Sequence, residues 1–434
     1  MSVKQMFFKY VPQNILGMVG ISLYILADTF FIAQAVGADG ITALNLVLPL
    51  YSLIFAIGVM IGVGSAIRYS VAAGKGDPSA QVFFFNAMFW GTVIGLIFMF
   101  FGMLFPGQII SILGGDATII EVGRTYTRIF MGFAPFFIWN HICNAFVRND
   151  GAPGIAMAAT LCSSLFNIVG DYVLMFPLNM GMPGAALATA LSPILGVLIC
   201  CIHLCSKKSH ISFKPVVPSI KKLFYSCQVG VAAFVGEISS GVTTALFNMI
   251  ILKLAGNTGV AAYGVVANTA LVAVAMFNGV SQGTQPIVSL YYGRNEHKNI
   301  VKTFSMAIVT ALILAVLMLV AVWIWTKPIA GIFNKDADAI LAGYAHTGLR
   351  LYFIGFLFAG INIVGAGVLS AMEAAKGAFV SSIMRGFVAI IICACVMSWL
   401  FGMNGVWLAF SVAEALTMIV TVIALKHVLK KVHA

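Results

Sequence analysis

Twelve long apolar runs take up almost the whole chain, near residues 11–34, 43–73, 81–105, 121–147, 154–177 and 182–206, then 222–253, 261–291, 299–325, 339–371, 376–399 and 404–429. A helix needs about 20 apolar residues to cross a bilayer, and inside hydrocarbon each backbone N–H and C=O must be bonded within its own segment. The pattern therefore predicts an all-α polytopic membrane protein of 12 transmembrane helices. Only 9% of the 434 residues are charged, where soluble proteins carry about a quarter. Charge this sparse excludes a disordered or nucleic-acid-binding chain and leaves almost nothing for a soluble domain.

The longest polar stretch, Ser206 to Lys222, holds five lysines together with Pro215 and Pro218. It reads as a cytoplasmic linker (207–222) between an N-terminal six-helix lobe (1–206) and a C-terminal one (223–434). The net charge of +11 is a topology signal. The tails and the even-to-odd loops with their helix ends, including Arg68, Arg148 and Arg385, hold 18 of the 24 basic residues, against Lys253, Lys327 and Lys335 on the other side. Both termini are thereby expected to be cytoplasmic. The first run carries Pro12, Gln13, Asn14 and Asp28 with no cleavage pattern, so it is read as a permanent helix. Cys200, Cys201, His203 and Cys205 are the one soft-ligand cluster; no CxxC pair accompanies it, and small helix residues near a membrane surface are the ordinary explanation.

The two halves repeat. A shift of 219 places Gly37 on Gly256, Gly40 on Gly259, Gly64 on Gly283 and Asp77 on Glu296, and a shift of 221 places Gly181–Ala188 on Gly402–Ala409. An even number of helices per half makes the repeats parallel, as in transporters whose substrate path lies between two bundles.

Most acids, among them Asp77, Asp116, Asp150, Glu296 and Asp338, fall near helix ends and read as solvated or capping. Asp28, Asp171, Glu237 and Glu414 lie within apolar runs. A charge at mid-bilayer costs at least about 2.5–3.5 kcal/mol, so such groups should face a cavity or a partner. Asn167 and Asp171 share a helix face by their i, i+4 spacing; with Asp28 and Thr189 they would make a pocket for a cation in the first half. The plain alternative is that the two bond each other as interhelical glue. The 219 shift takes Asp28 to Phe247 and the 221 shift takes Thr189 to Phe410, so the pocket is not duplicated. In the second half, Glu237, Asn248, Asn278, Gln282 and Gln285, with Met276, form a polar set suited to organic cations. Gly279-Val280-Ser281-Gln282-Gly283 matches a nucleophile-elbow spacing but lies in an apolar helix, the wrong context for that chemistry. The chain is not read as an enzyme.

Several motifs together resemble the multidrug and toxic compound extrusion (MATE) transporters over essentially the whole length. They are Asp28-Thr-Phe-Phe-Ile before Gly37, Arg148-Asn-Asp-Gly151, Asn167-Ile-Val-Gly-Asp171-Tyr172 and Gly184-Ala-Ala-Leu-Ala-Thr189. Gln282-Gly-Thr-Gln285-Pro286 with Tyr291-Tyr-Gly293 looks like the bacterial MepA-like branch. The resemblance implies two six-helix lobes in a bacterial inner (cytoplasmic) membrane. It implies export of cationic, amphipathic drugs in exchange for H⁺ or Na⁺, with no other cofactor. Asp28, Asn167, Asp171 and Thr189 match the family's cation site; the partners expected are small-molecule substrates and the bilayer, with no nucleic acid and a monomeric protein. Gly170 departs from the bulkier residue usual before the fifth-helix acid, which would loosen packing there. A flippase for an amphipathic metabolite is the alternative, and a passive channel is disfavoured by the paired acids.

Overall fold

The computed structural model describes residues 2–211, 216–333 and 338–433. Lys214 and Pro215 of the linker, Lys335 and Asp336 lie outside the described residues, as do the side chains of Asp39 and Lys431. Among the described residues there is no strand. The first half runs α1 (Val3–Ala35), α2 (Ala38–Gly74), α3 (Ala80–Leu104), short α4 (Pro106–Ile112), α5 (Ala117–Gly132), α6 (Ala134–Asn149), α7 (Pro153–Met175) and α8 (Gly181–Leu204). The second runs α9 (Ile220–Gly293), α10 (His297–Ile324), short α11 (Thr326–Phe333), α12 (Ala339–Ile354), α13 (Phe356–Ala371), α14 (Ala375–Ile383), a π-helical turn (Met384–Val388) and α15 (Ala389–His433).

Eight stretches among the described residues are long and apolar enough to span a membrane. The pairs α5–α6 and α12–α13, each bent by 46°, make ten. Two of the eight are double-length, Ile220–Gly293 and Ala375–Lys430, and are broken at Gly256 (φ 62°) and Gly402 (φ 55°). With those breaks counted the spans number twelve.

The repeat is written into the backbone. Gly37 and Gly256, 219 apart, both have positive φ, as do Gly76 and Asn295 at the same separation, Gly181 and Gly402 at 221, and Gly151 and Glu373 at 222. Glycine suits the first and third pairs because a Cβ clashes in the left-handed region. Each half also places a short helix after its third span and a 46° bend in its fourth.

The chain packs as two compact units, Leu16–Phe234 and Met1–Ile15 with Val235–Ala434. The divisions fall inside α1 and α9, whereas the polar pattern of the sequence places them at the linker. Close helix contacts account for the difference. A Cβ on Gly279 would meet Ile15 Cα at 2.5 Å and one on Gly283 would meet Val11 Cα at 2.7 Å, so the start of α1 lies against the second part of α9. Likewise a Cβ on Gly230 would meet the Met60 carbonyl oxygen of α2. The Gly279–Gly283 elbow spacing is thus a helix-packing surface, where small residues let backbones approach.

Several loop acids cap helices. Asp116 accepts from Ile119 N at 2.9 Å, and Asp338 accepts from Ile340 N and Leu341 N. Asp77 accepts from Ser79 N at 2.8 Å, which holds its carboxyl below the usual range. Asp150 is a correction: the loop position suggested a solvated acid, but its side chain is buried. It accepts from Tyr69 Oη (2.7 Å), Ser209 Oγ (2.9 Å) and His210 N (3.0 Å), and pairs with His203 Nε2 at 2.9 Å. One carboxylate therefore ties α2, the end of α6, α8 and the linker. That bond also gives His203 a structural partner. Arg68 adds a second clamp, donating to the Tyr225 carbonyl at 3.1 Å from one terminal nitrogen and stacking on the Tyr225 ring.

Gly279→Val should cost about 1–3 kcal/mol through overpacking and lower the melting temperature in detergent, whereas Gly264→Ala, with open space around its Cβ, should leave it unchanged. Asp150→Ala strands several buried donors, at about 1–3 kcal/mol each. Trypsin should then cleave at the linker lysines at least about tenfold faster than in the parent protein.

Candidate functional site

The site is built on α7. Proline at the first turn starts this helix without losing a needed N–H, and the i, i+4 spacing sets Asn167 and Asp171 on one face, both buried. Across from them on α8, Thr189 is buried and its Oγ1 accepts from Asn167 Nδ2 at 3.2 Å. The two helices come close because glycines line the contact. A Cβ on Gly170 would meet Ala188 Cβ at 3.0 Å, and one on Gly184 would meet the Leu174 carbonyl at 3.1 Å. Gly170 therefore tightens the packing beside Asp171, contrary to the loosening its small size suggested.

Asp28, half-buried on α1, comes within hydrogen-bonding reach of Asp171. Neither Asp171 oxygen, nor Asp28 Oδ1, nor Asn167 Oδ1 receives a hydrogen bond from the described residues. Two ionised carboxylates offer each other no donor, so a proton shared between them or a bound cation is what would stabilise such a pair out of water. The donor set of two carboxylates, an amide oxygen and a hydroxyl is made of hard oxygens, which suits H⁺ or Na⁺ and not a soft metal.

Three tyrosines complete the surroundings and were missed in the sequence. Tyr24 lies one turn before Asp28 and bonds Tyr51 Oη to Oη at 2.9 Å, while Tyr51 and Tyr126 are close enough to feel the Asp28 charge. Only Tyr24 had a signal, its i, i+4 spacing from Asp28. Tyr51 stacks with Phe55 and Phe130, an aromatic wall contributed by α2 and α5.

The polar set of the second half is more dispersed. Glu237 and Asn248 precede the Gly256 break in α9, and Met276, Asn278 and Gln282 follow it, all partly buried. Gln285 is buried, with its amide beside Gly367 of α13. Glu414 differs from every other acid inside a span. Both its oxygens are engaged, Oε2 by Asn362 Nδ2 at 2.7 Å and Oε1 by Arg385 Nε at 2.7 Å. Arg385, counted in the sequence among loop cations, instead sits in the π-helical turn and pairs with this carboxylate.

Long apolar helices in two repeated halves are the plan of a polytopic membrane protein. The model of the MatE family matches residues 14–173 and 232–396, so the chain belongs to the MatE (multidrug and toxic compound extrusion) family. It is 29% identical over 411 residues to the multidrug export protein MepA of Staphylococcus saprophyticus subsp. saprophyticus, covering 94% of this chain and 89% of that one. To MepA of Staphylococcus aureus it is 28% identical over 404 residues, covering 91% and 87%. Its fold matches an outward-facing multidrug resistance MATE family transporter of the MOP superfamily with a TM-score of 0.94 at 19% identity, covering 100% of this chain and 97% of that one. A variant of the Vibrio cholerae MATE transporter VcmN matches with a TM-score of 0.91 at 17% identity, covering 99% and 98%.

Thr189→Val removes the acceptor of Asn167 and leaves a buried amide donor without a partner. A loss of about 1–1.5 kcal/mol is expected, or roughly five- to tenfold weaker cation binding, in a protein that still folds. Isothermal titration with Na⁺, or proton uptake on a pH step, measures it.

Proposed function

We propose that the chain exports amphipathic, mostly cationic small molecules across a bacterial cytoplasmic membrane, driven by inward movement of H⁺ or Na⁺ through the Asp28/Asp171 pocket. The observation that carries this reading is the acid pair itself, set among Asn167, Thr189 and three tyrosines, with neither Asp171 oxygen nor Asp28 Oδ1 bonded to a cation among the described residues. Similarity to proteins named multidrug export protein MepA supports the substrate class.

A cation entering the pocket neutralises the acids and allows α1 to bend. Pro12 supplies the weak point, since it removes a helical hydrogen bond, and the Asn14 amide donates to the Tyr10 carbonyl near by. The packing division between Ile15 and Leu16 falls in the same stretch of α1. Release of the cation inside resets the pocket, which completes an alternating-access cycle. Glu237, Asn248, Met276, Asn278, Gln282 and Gln285 supply polar contacts for the substrate, Glu237 as counter-charge. A potential of about 100 mV contributes roughly 2.3 kcal/mol per charge moved inward, about a fiftyfold gradient of a neutral substrate. Export of a monovalent cation forfeits that gain, so one-for-one exchange must run on a pH or sodium gradient.

The test is efflux of a fluorescent cationic dye from proteoliposomes with proton and sodium gradients imposed separately. Uphill movement under one gradient is expected in the parent protein, and its loss by more than about a hundredfold in Asp28→Asn that still inserts and folds. Undiminished uphill efflux in that variant defeats the assignment, and purely downhill movement means a channel.

A further inference from the structure

The second repeat holds a buried acid of its own, and its surroundings invert those of Asp28 and Asp171. Glu414 is 3% exposed on α15, and each of its oxygens accepts a hydrogen bond, one from Arg385 Nε and one from Asn362 Nδ2. Asn362 Nδ2 also reaches the Glu414 main-chain carbonyl at 2.9 Å. A carboxylate that accepts on both oxygens is satisfied as an anion. Arg385 lies ten residues into the apolar stretch that begins at Ala375, about 15 Å along the helix. Within an apolar span a guanidinium calls for a partner. It is positioned by the π-helical turn Met384–Val388, in which Gly386 leaves no room for a Cβ against Ser239 of α9. Such turns widen a helix by one residue and re-aim the side chains within it.

The repeat shows what this arrangement replaces. The 222 shift that pairs Gly151 with Glu373 places Asn362 on Asn140 and Arg385 on Ser163, while the 221 shift that aligns Gly402–Phe410 places Glu414 on Pro193. The first unit has no charged residue at these places and carries its acids elsewhere. The second has one acid and, in reach of it, one fixed cation.

We propose that Arg385 is a tethered counter-ion. It permanently occupies the one fully buried carboxylate described in the second unit and thereby confines the transported cation to Asp28 and Asp171. This rests on the coupling role given above to those two acids. Arg385 acts as a positioning residue, and its removal converts Glu414 into a second cation site. A proton delivered to Glu414 must displace the Arg385 bond, whereas neither Asp171 oxygen nor Asp28 Oδ1 holds a hydrogen bond from another of the described residues.

Two measurements test it on purified, reconstituted protein. Reversal-potential assays give cations moved per dye molecule for the parent protein, for Arg385→Gln, and for the neutral pair Arg385→Gln with Glu414→Gln. The pair retains hydrogen-bonding groups at both positions and keeps the test open if the single variant folds poorly. The expected result is an unchanged ratio in the neutral pair and about one more cation per dye in Arg385→Gln. A ratio lower by about one in the neutral pair overturns the proposal, because Glu414 would then carry a coupling ion itself. Infrared difference spectra of the carboxyl C=O stretch, with Glu414→Gln to assign the band, give a readout independent of transport. Glu414 should show no acid band in the parent protein and should gain one, or a cation-shifted carboxylate band, in Arg385→Gln. An acid band from Glu414 in the parent protein overturns the proposal even if efflux proves not to be ion-driven, a result that would defeat the coupling reading alone.

Discussion

Two carboxylates held against each other out of water repel, and each has lost the hydration that would offset its charge. Close helix contacts in the first unit hold such a pair in place. Asp171 is fixed by the close approach of α7 and α8, which depends on Gly170 and Gly184 having no side chain. Asp28 is brought to it by α1, whose second part packs at Gly17 and Gly20 against Thr160 and Leu161 of α7. Asn167 is oriented by its bond to Thr189, which leaves the amide oxygen unpartnered. A single positive charge, whether a proton or a metal cation, would relieve that repulsion, and the proposed coupling rests on this difference.

Much of the fold was legible because the bilayer reduces the options to a few. Apolar runs of the right length and glycines at matching offsets gave spans and repeat without any knowledge of packing, whereas the compact units divide inside α1 and α9 and not at the lysine-rich stretch. The glycine pairs were more informative than their chemistry suggested, since Gly37 with Gly256 and Gly181 with Gly402 recur as left-handed breaks in both halves. What sequence reasoning missed lies in contacts between residues far apart in the chain. Asp150 looked like a loop acid because its partners, Tyr69, His203 and Ser209, are scattered over three other segments. Arg385 looked like a loop cation because a π-helical turn, which has no composition signature, carries it into the second unit opposite Glu414.

The candidate site divides in the same way. Asn167 and Asp171 could be paired from their spacing alone, and the non-duplication of Asp28 and Thr189 was already visible from the offsets. Tyr51 and Tyr126 could not be anticipated, because nothing in a one-dimensional pattern distinguishes an aromatic residue that packs against another from one that faces a carboxylate.

The division of the units inside α1 and α9 bears on how the protein is made. The first fifteen residues belong with a unit that otherwise begins at Val235, about 220 residues later in synthesis. The start of α1 is inserted early, yet it must wait for the second part of α9 before Gly279 and Gly283 give it a surface to rest on. Contacts this distant in sequence carry a loop-closure cost and form late. The second unit is therefore complete only once the α1 segment before Leu16 has met the second part of α9.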